Sequence, residues 1–251
     1  MSQLAERYIS VDWPAPPSIR AFATTRKGGK SSGSYSSFNL GGRSGDDLKN
    51  IQDNRQFLTD DWGWPANPCW LKQVHGSNVV HAMDCDPEPE ADASFATEAG
   101  VPCLVLTADC LPVLFCHQSG HCVAAAHAGW KGLISGVLER TVAAMKCQPS
   151  EIMAWLGPAI SQSHFEVGPE VRDAFLQGEP GASSAFMAGV GDRWMADLYL
   201  LARQRLERAG VHQIYGGDYC TYQQSDLFFS YRRDGKASGR MASAIWIEQA
   251  R

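Results

Sequence analysis

No run of apolar residues in this chain approaches the length of a membrane span. The first residues, Met1 to Arg7, lack the basic region and apolar core of a secretory signal. Positive charge is not in excess: 22 Lys and Arg stand against 27 Asp and Glu. The resulting net charge of −5 removes any electrostatic reason to expect nucleic acid or an anionic membrane as partner. Short zinc signatures of the C-x-x-C or H-E-x-x-H kind are absent, and so is any His-x-His pair. No internal repeat and no convincing linker divide the chain. What remains is a cytoplasmic globular protein, expected as a single domain over residues 1–251, with an ordinary 44% of hydrophobic and 20% of charged residues. Eight cysteines without an export signal or compact spacing read as reduced thiols. Cys103, Cys116 and Cys122 lie in apolar runs, where Cys is usually a small buried hydrophobe.

Periodicity places the elements. Alternation over 19–25 predicts a strand. Arg26–Gly33 is rich in Gly, Lys and Ser but lacks the Walker spacing, so it reads first as a surface loop and only second as a phosphate cradle. Asp46 or Asp47 can cap a helix carrying Leu48, Ile51, Arg55 and Leu58. Trp70–Val74 and Asn78–Ala82 read as strands, and 84–93, acidic with two prolines, as an exposed loop. Cys103–Leu106 and Val113–Phe115 read as a strand pair around a tight polar turn, followed by a strand at Val123–Ala126. Leu133, Ile134, Val137, Leu138, Thr141 and Met145 form one apolar stripe and predict one helix. Ile152–Leu156 is a buried strand; helices follow over 169–177, with Pro169 at its first position, and over 197–208, ended by Gly210. Residues 178–192 read as a loop, 215–221 as strand and loop, 228–235 as ending in a basic turn, and 241–247 as the last strand.

Three candidate ligands sit at the ends of apolar runs: His75 after Leu71–Val74, Cys110 in Thr107-Ala108-Asp109-Cys110, and His127 before Ala128-Gly129-Trp130-Lys131-Gly132. Strand ends that give way to turns are the usual place for site residues on a rigid scaffold. Two His and one Cys with an open position match a catalytic zinc site. A Cys110–His nucleophile pair competes, because a nearby His lowers a thiol's pKa and creates the thiolate. A blue-copper or multicopper cluster is disfavoured: there are only seven His, and His117 and His121, separated by Ser119-Gly120, read as flanking a hairpin. Gly129 and Gly132 precede a helix, so Lys131 and free backbone N–H groups are expected to offer an anion site, the alternative being a tight turn whose Lys is merely solvated. Arg43, Arg55, Arg232, Arg233 and Arg240 join Lys131 as cations near Gly-containing turns and point to a phosphate or carboxylate on the substrate.

The blocks Leu71-Lys72-Gln73-Val74-His75-Gly76, Ala91-Asp92-Ala93, Leu106-Thr107-Ala108-Asp109-Cys110-Leu111-Pro112-Val113, His127-Ala128-Gly129-Trp130-Lys131-Gly132, Gly157-Pro158-Ala159-Ile160 and Phe165-Glu166-Val167-Gly168 together resemble the YfiH-type family. Its members are also called laccase-domain or polyphenol-oxidase proteins. The resemblance runs from about Phe22 to Ile247. It implies an α+β fold, a single domain of face-to-face mixed β-sheets flanked by helices. It implies zinc held by His75, Cys110 and His127. It implies phosphorolysis of adenosine, inosine or methylthioadenosine to a base and a ribose-1-phosphate sugar, and deamination of adenosine. Copper-dependent phenol oxidation is attributed to the family as well, and would follow from Cu2+ entering a zinc-type site.

These activities draw on different residues. Deamination needs water activated by the metal for attack at C6 of adenine and a carboxylate to move protons, for which Asp109 is the candidate. Phosphorolysis needs a phosphate clamp, for which Lys131, Arg43 and Arg232 are the candidates. The expectation is a zinc enzyme acting on small-molecule substrates, a purine nucleoside and phosphate. The alternatives are a hydrolase editing an amino acid on a nucleotide-linked muramyl precursor and a non-catalytic metal- or nucleoside-binding protein.

Overall fold

The computed structural model describes residues 6–65, 68–84 and 88–249. Its centre is an antiparallel hairpin of β6 (Leu111–His117) and β7 (Val123–Ala128). Every residue of both strands is buried, which is why they read as continuous apolar runs rather than alternating ones. On one side follow β8 (Ile152–Leu156) and β12 (Gln213–Gly216); on the other, β4 (Ala93–Ala96) and β3 (Val79–His81). The β12–β8 and β4–β3 pairs are parallel and the rest antiparallel, so this six-stranded sheet is mixed. A second, antiparallel sheet runs β1 (Tyr8–Ser10), β2 (Ile19–Thr24), β13 (Met241–Ile247), β5 (Cys103–Thr107). A small third sheet joins β9 (Glu166–Val167), β11 (Trp194–Ala196) and β10 (Phe186–Ala188).

The period of two along β6 sorts its side chains into two cores. Leu114 and Cys116 pack with Val123 and Ala125 against Ala23, Cys103, Val105 and Ile245 of the four-stranded sheet. Leu111, Val113 and Phe115 point the other way, onto Leu133, Val137 and Leu138. These belong to α2 (Trp130–Ile134) and α3 (Val137–Ala144), which share that layer with α4 (Pro169–Gly178) and α5 (Leu198–Arg208). The outer face of the four-stranded sheet presents Phe22, Leu104, Ala244 and Trp246, covered by Phe38, Leu40, Trp64 and Leu58 of α1 (Leu48–Trp62). The expected α+β arrangement of face-to-face sheets with helices outside is what forms.

Several local expectations are corrected. The runs flanking Asp109-Cys110 are strands, but not partners: β5 pairs with β13 and β6 with β7 and β8. The turn between them therefore crosses from one sheet to the other. Trp70–Val74 is not a strand. Its Gln73 side chain stands in for a strand neighbour, donating to Leu106 O at 2.8 Å and accepting from Leu106 N at 2.8 Å. The apolar stripe over 133–145 spans two helices, broken at Gly136, which adopts φ 81°. The periodicity survives because both pieces pack on the same sheet. Within 178–192 lie a 3-10 turn and β10, and the basic turn is a short helix, α6 (Tyr231–Asp234). Part of the acidic stretch 84–93, residues 85–87, falls outside the described residues. Cys103, Cys110, Cys116, Cys122, Cys147 and Cys220 are free thiols, but Cys69 is disulfide-bonded, against the expectation of reduced thiols throughout.

The Arg26–Gly33 loop is anchored rather than poised for a ligand. Asn54, fully buried on α1, accepts from Lys30 N at 2.7 Å and donates to Ser31 Oγ, Ser37 O and Asn39 O. Removing that amide strands several buried polar groups at once, each worth about 1–3 kcal/mol. Asn54→Ala should lower the unfolding free energy by about 3 kcal/mol in urea titrations; a loss below the error of the extrapolation would show that the loop is held by something else.

Candidate metal centre and cavity

The turn that carries His75 is built around a buried carboxylate. Asp92, fully buried just before β4, accepts from His75 N at 2.9 Å through Oδ1 and from Val74 N and Gly76 N at 3.2 and 2.7 Å through Oδ2. Three consecutive N–H groups can converge in this way because His75 takes the left-handed conformation, φ 62°. Oδ1 of Asp92 also meets His127 Nδ1 at 2.8 Å. Burial alone would raise the Asp92 carboxyl, but the His127 ring and the N–H donors outweigh it and hold it below the usual carboxylate range. One ionised group thus positions both histidines. With Nδ1 of His127 engaged, Nε2 is left for a ligand.

Cys110 enters from the sheet-to-sheet turn. Its Sγ lies 3.7 Å from His75 Nε2, and the two imidazole rings stand edge to face at 4.8 Å between centroids. One donor atom from each of His75, Cys110 and His127 falls within 4.8 Å of the other two. Burial opposes ionisation of the Cys110 thiol, but the charge of His127 and the hydrogen bonds of both histidines prevail and lower its pKa. His127 is raised in return: burial disfavours its charge, but Cys110 and Asp92 favour it more strongly. In the metal-free form the pair is therefore biased toward thiolate and imidazolium. Gly129 supplies the clearance. A Cβ there would come within 2.9 Å of Cys110 Sγ and 3.1 Å of His75 Cδ2. Two imidazole nitrogens, a readily ionised sulfur, an orienting carboxylate behind one ring and open space in front fit a zinc ion; copper also suits N/S donors.

The trio opens into a cavity of about 670 Å³, within the range of small-molecule sites. Leu71, Ile160, Phe165 and Trp130 give it apolar and aromatic walls. Of the six cations expected near the substrate, Lys131, Arg43, Arg55, Arg232 and Arg240 line it. Arg233 does not: it donates to Thr221 O, Tyr222 O and Phe228 O and pairs with Asp234, a structural role. Arg43 and Arg55 share Glu88 at 2.9 and 3.8 Å, so their charge is partly spent. Lys131 forms no salt bridge among the described residues and lies over the Trp130 ring at 5.5 Å. Arg232 donates to Glu166 O and lies over Phe165. Asp109, also at the cavity wall, has φ 86°; its carboxylate accepts from Thr221 Oγ1 and Arg232 N, both at 2.6 Å. That latch ties the β5–β6 turn to the start of α6.

Sequence reasoning gave Asp92 no role. It ends an acidic, Pro-containing stretch that reads as solvated; the signals were its place between two alanines, both of which prove fully buried, and the share of Ala91-Asp92-Ala93 in the family resemblance.

A sequence model of the family described as "Multi-copper polyphenol oxidoreductase laccase" matches residues 20–248. Escherichia coli "Purine nucleoside phosphorylase YfiH" is 50% identical, over 96% of this chain and 99% of that protein. A Pseudomonas aeruginosa protein also named purine nucleoside phosphorylase is 48% identical, over 96% and 98%. Among solved structures, a Neisseria meningitidis protein superposes with TM-score 0.93 at 50% identity, covering 97% of this chain and all of that one. YlmD from Geobacillus stearothermophilus gives TM-score 0.91 at 30% identity, over 98% and 97%.

If Asp92 orients the ligands, Asp92→Asn should weaken zinc binding roughly 10–100-fold in competition with a chromophoric chelator; unchanged affinity would reduce Asp92 to a packing role. In metal-free protein, iodoacetamide at neutral pH should label Cys110 while leaving Cys116, pushed up to about 12 by burial, and Cys103, also raised by burial, untouched. Equal labelling of the three would contradict the thiolate assignment.

Proposed function

Because the chain belongs to the YfiH-type family of multi-copper polyphenol oxidoreductase laccase-like proteins, we propose that it is a zinc-dependent purine nucleoside enzyme. The reactions are phosphorolysis of adenosine, inosine or methylthioadenosine and deamination of adenosine. The observation that carries this reading is the convergence of His75, Cys110 and His127 with Lys131, Arg43 and Arg232 on one cavity. Relatives named as purine nucleoside phosphorylases, about half identical over nearly the whole chain, support the substrate class.

The division of labour follows from the wall chemistry. The base lies against Phe165 and Trp130, which offer flat apolar surface. Phosphate is drawn to Lys131 and Arg232, with Arg43 reaching it once freed from Glu88. In phosphorolysis a phosphate oxygen bonds to C1′ of the ribose as the C1′–N9 bond breaks, and the base leaves with the electron pair and takes up a proton. Holding phosphate beneath the sugar lowers that barrier through proximity. In deamination water replaces the C6 amino group and ammonia leaves; Asp109, at the cavity wall, is the group to shuttle the proton. A metal held by His75, Cys110 and His127 supplies Lewis acidity at the open side of the site. The same donors accept Cu2+, which stands above zinc in the affinity order and would bring phenol oxidation with it.

Adenosine turnover by metal-quantified protein, with and without phosphate, tests the proposal. Adenine formed only with phosphate is the expected mark of phosphorolysis, and inosine formed without it the mark of deamination. His75→Ala with His127→Ala should abolish turnover together with the zinc bound at this centre. Lys131→Ala should raise KM for phosphate about tenfold or more, the scale of one charge-assisted hydrogen bond. Zinc-loaded protein that turns over neither adenosine nor inosine would overturn the nucleoside assignment.

A further inference from the structure

A second His/His/Cys set lies at the other end of β6. Cys110 precedes the first residue of that strand and His117 is its last, a separation of roughly 20 Å at strand rise. In the β6–β7 turn His121 folds back so that its ring centroid is 4.1 Å from that of His117. Cys147, in the connection after α3, brings its Sγ to 3.6 Å from His121 Nε2. One donor atom from each of His117, His121 and Cys147 lies within 4.8 Å of the other two.

The surroundings have the character of a ligand site rather than a chance meeting. Ser119 Oγ sits between the two rings, 2.8 Å from His117 Nδ1 and 2.7 Å from His121 Nδ1, and so fixes both from behind. Orienting contacts of this kind accompany metal-bound histidines. The opposite nitrogen of His117, Nε2, faces Glu151 Oε2 at 3.3 Å. A thiolate and a carboxylate with two neutral imidazoles carry a charge of −2, which balances a divalent cation. His117 is buried, Cys147 half-buried and His121 exposed, so the cluster is open to ions from solvent.

We propose that His117, His121 and Cys147 form a second, surface zinc site, with Glu151 poised as the fourth donor. Binding replaces the proton on the Cys147 sulfur and any proton shared between His117 and Glu151, and releases them to solvent. The ion pins the tip of the β6–β7 hairpin to the segment joining α3 and β8. Four protein donors leave no open position, which makes this a structural site rather than a catalytic one. It lies far from the cavity, and zinc there stabilises the fold by mass action without taking part in turnover.

The test compares wild-type protein with His121→Ala/Cys147→Ser after chelation, reloading with Zn2+ and desalting. The double variant should hold one equivalent of zinc fewer than the wild type and lose most of the Zn2+-induced rise in Tm attributable to this site. Loaded with Co2+, it should show a weaker sulfur-to-metal charge-transfer band. Adenosine turnover should be unchanged. His121→Ala alone, a change at an exposed position that leaves the core untouched, should give the same zinc deficit. Equal zinc content, or equal thermal response to Zn2+, in wild type and variants would overturn the proposal. Because the readout is a difference between proteins with the same cavity, it holds whatever occupies the main site.

Discussion

The candidate centre depends on one buried charge. Asp92 has no exposed surface, and a carboxylate in that position is tolerable only if its oxygens are fully engaged. Here Oδ1 and Oδ2 take three backbone N–H groups from the 74–76 turn and the ring N–H of His127. The requirement to satisfy that charge fixes the turn in a conformation that a non-Gly residue rarely adopts, and so aims His75. It also decides which nitrogen of His127 is free. Two candidate ligands from segments 52 positions apart in sequence are set by a single side chain belonging to neither. Asp92 is itself tied to the sheet through its backbone, by bonds from Asp92 N to Asn78 O and from His127 N to Asp92 O.

The third candidate ligand depends on a different constraint, the crossing between sheets. A hairpin turn between β5 and β6 would have placed Asp109-Cys110 at the tip of a flat ribbon. Because the two strands belong to opposed sheets, the turn spans the gap between layers, and Cys110 lines the cavity there. Asp109 holds the turn there through Thr221 and the backbone of Arg232, which brings α6 and its cation to the same cavity. The carboxylate proposed to move protons is therefore also a strut, and the two duties share one requirement: its oxygens must stay where Thr221 and Arg232 hold them. Gly129 completes the arrangement by having no side chain, since any Cβ would stand in the space between Cys110 and His75.

How much of this was legible in the sequence follows from the kind of signal each feature leaves. His75, Cys110 and His127 could be singled out because ends of apolar runs are visible and strand ends carry site chemistry. β13 and α5 were placed almost to the residue, because their periodicity is unbroken and their ends are capped, Asp197 accepting from Leu200 N at 3.0 Å. The break at Gly136 left no trace in the apolar stripe, because both helices use the same face on the same sheet. Trp70–Val74 looked like a strand because Leu71 is buried, yet its pairing is made by the Gln73 side chain, which no periodicity reports. Asp92 was hidden for a related reason: a carboxylate that balances backbone donors looks, in sequence, like any acidic loop residue. Arg233 erred the opposite way, since a cation satisfied by three carbonyls is indistinguishable from a free one until the carbonyls are placed.

The two His/His/Cys sets show why donor identity alone does not define a function. Both sit at ends of β6, and both have a polar group fixing an imidazole from behind. At the cavity end that group is a buried carboxylate, which adds to the larger effect of Cys110 in raising the basicity of His127, and three candidate donors face open space lined by cations and aromatic walls. At the hairpin end the orienting group is the neutral hydroxyl of Ser119, and the carboxylate of Glu151 stands 3.3 Å from His117 as a further donor. A metal needs a vacant coordination position and a shaped pocket before it can act on a substrate. By that criterion the Asp92 end of the strand has the open side and walled pocket that the proposed chemistry requires, and the Ser119 end has the fuller donor set of the proposed cross-link, although the same three residue types supply both.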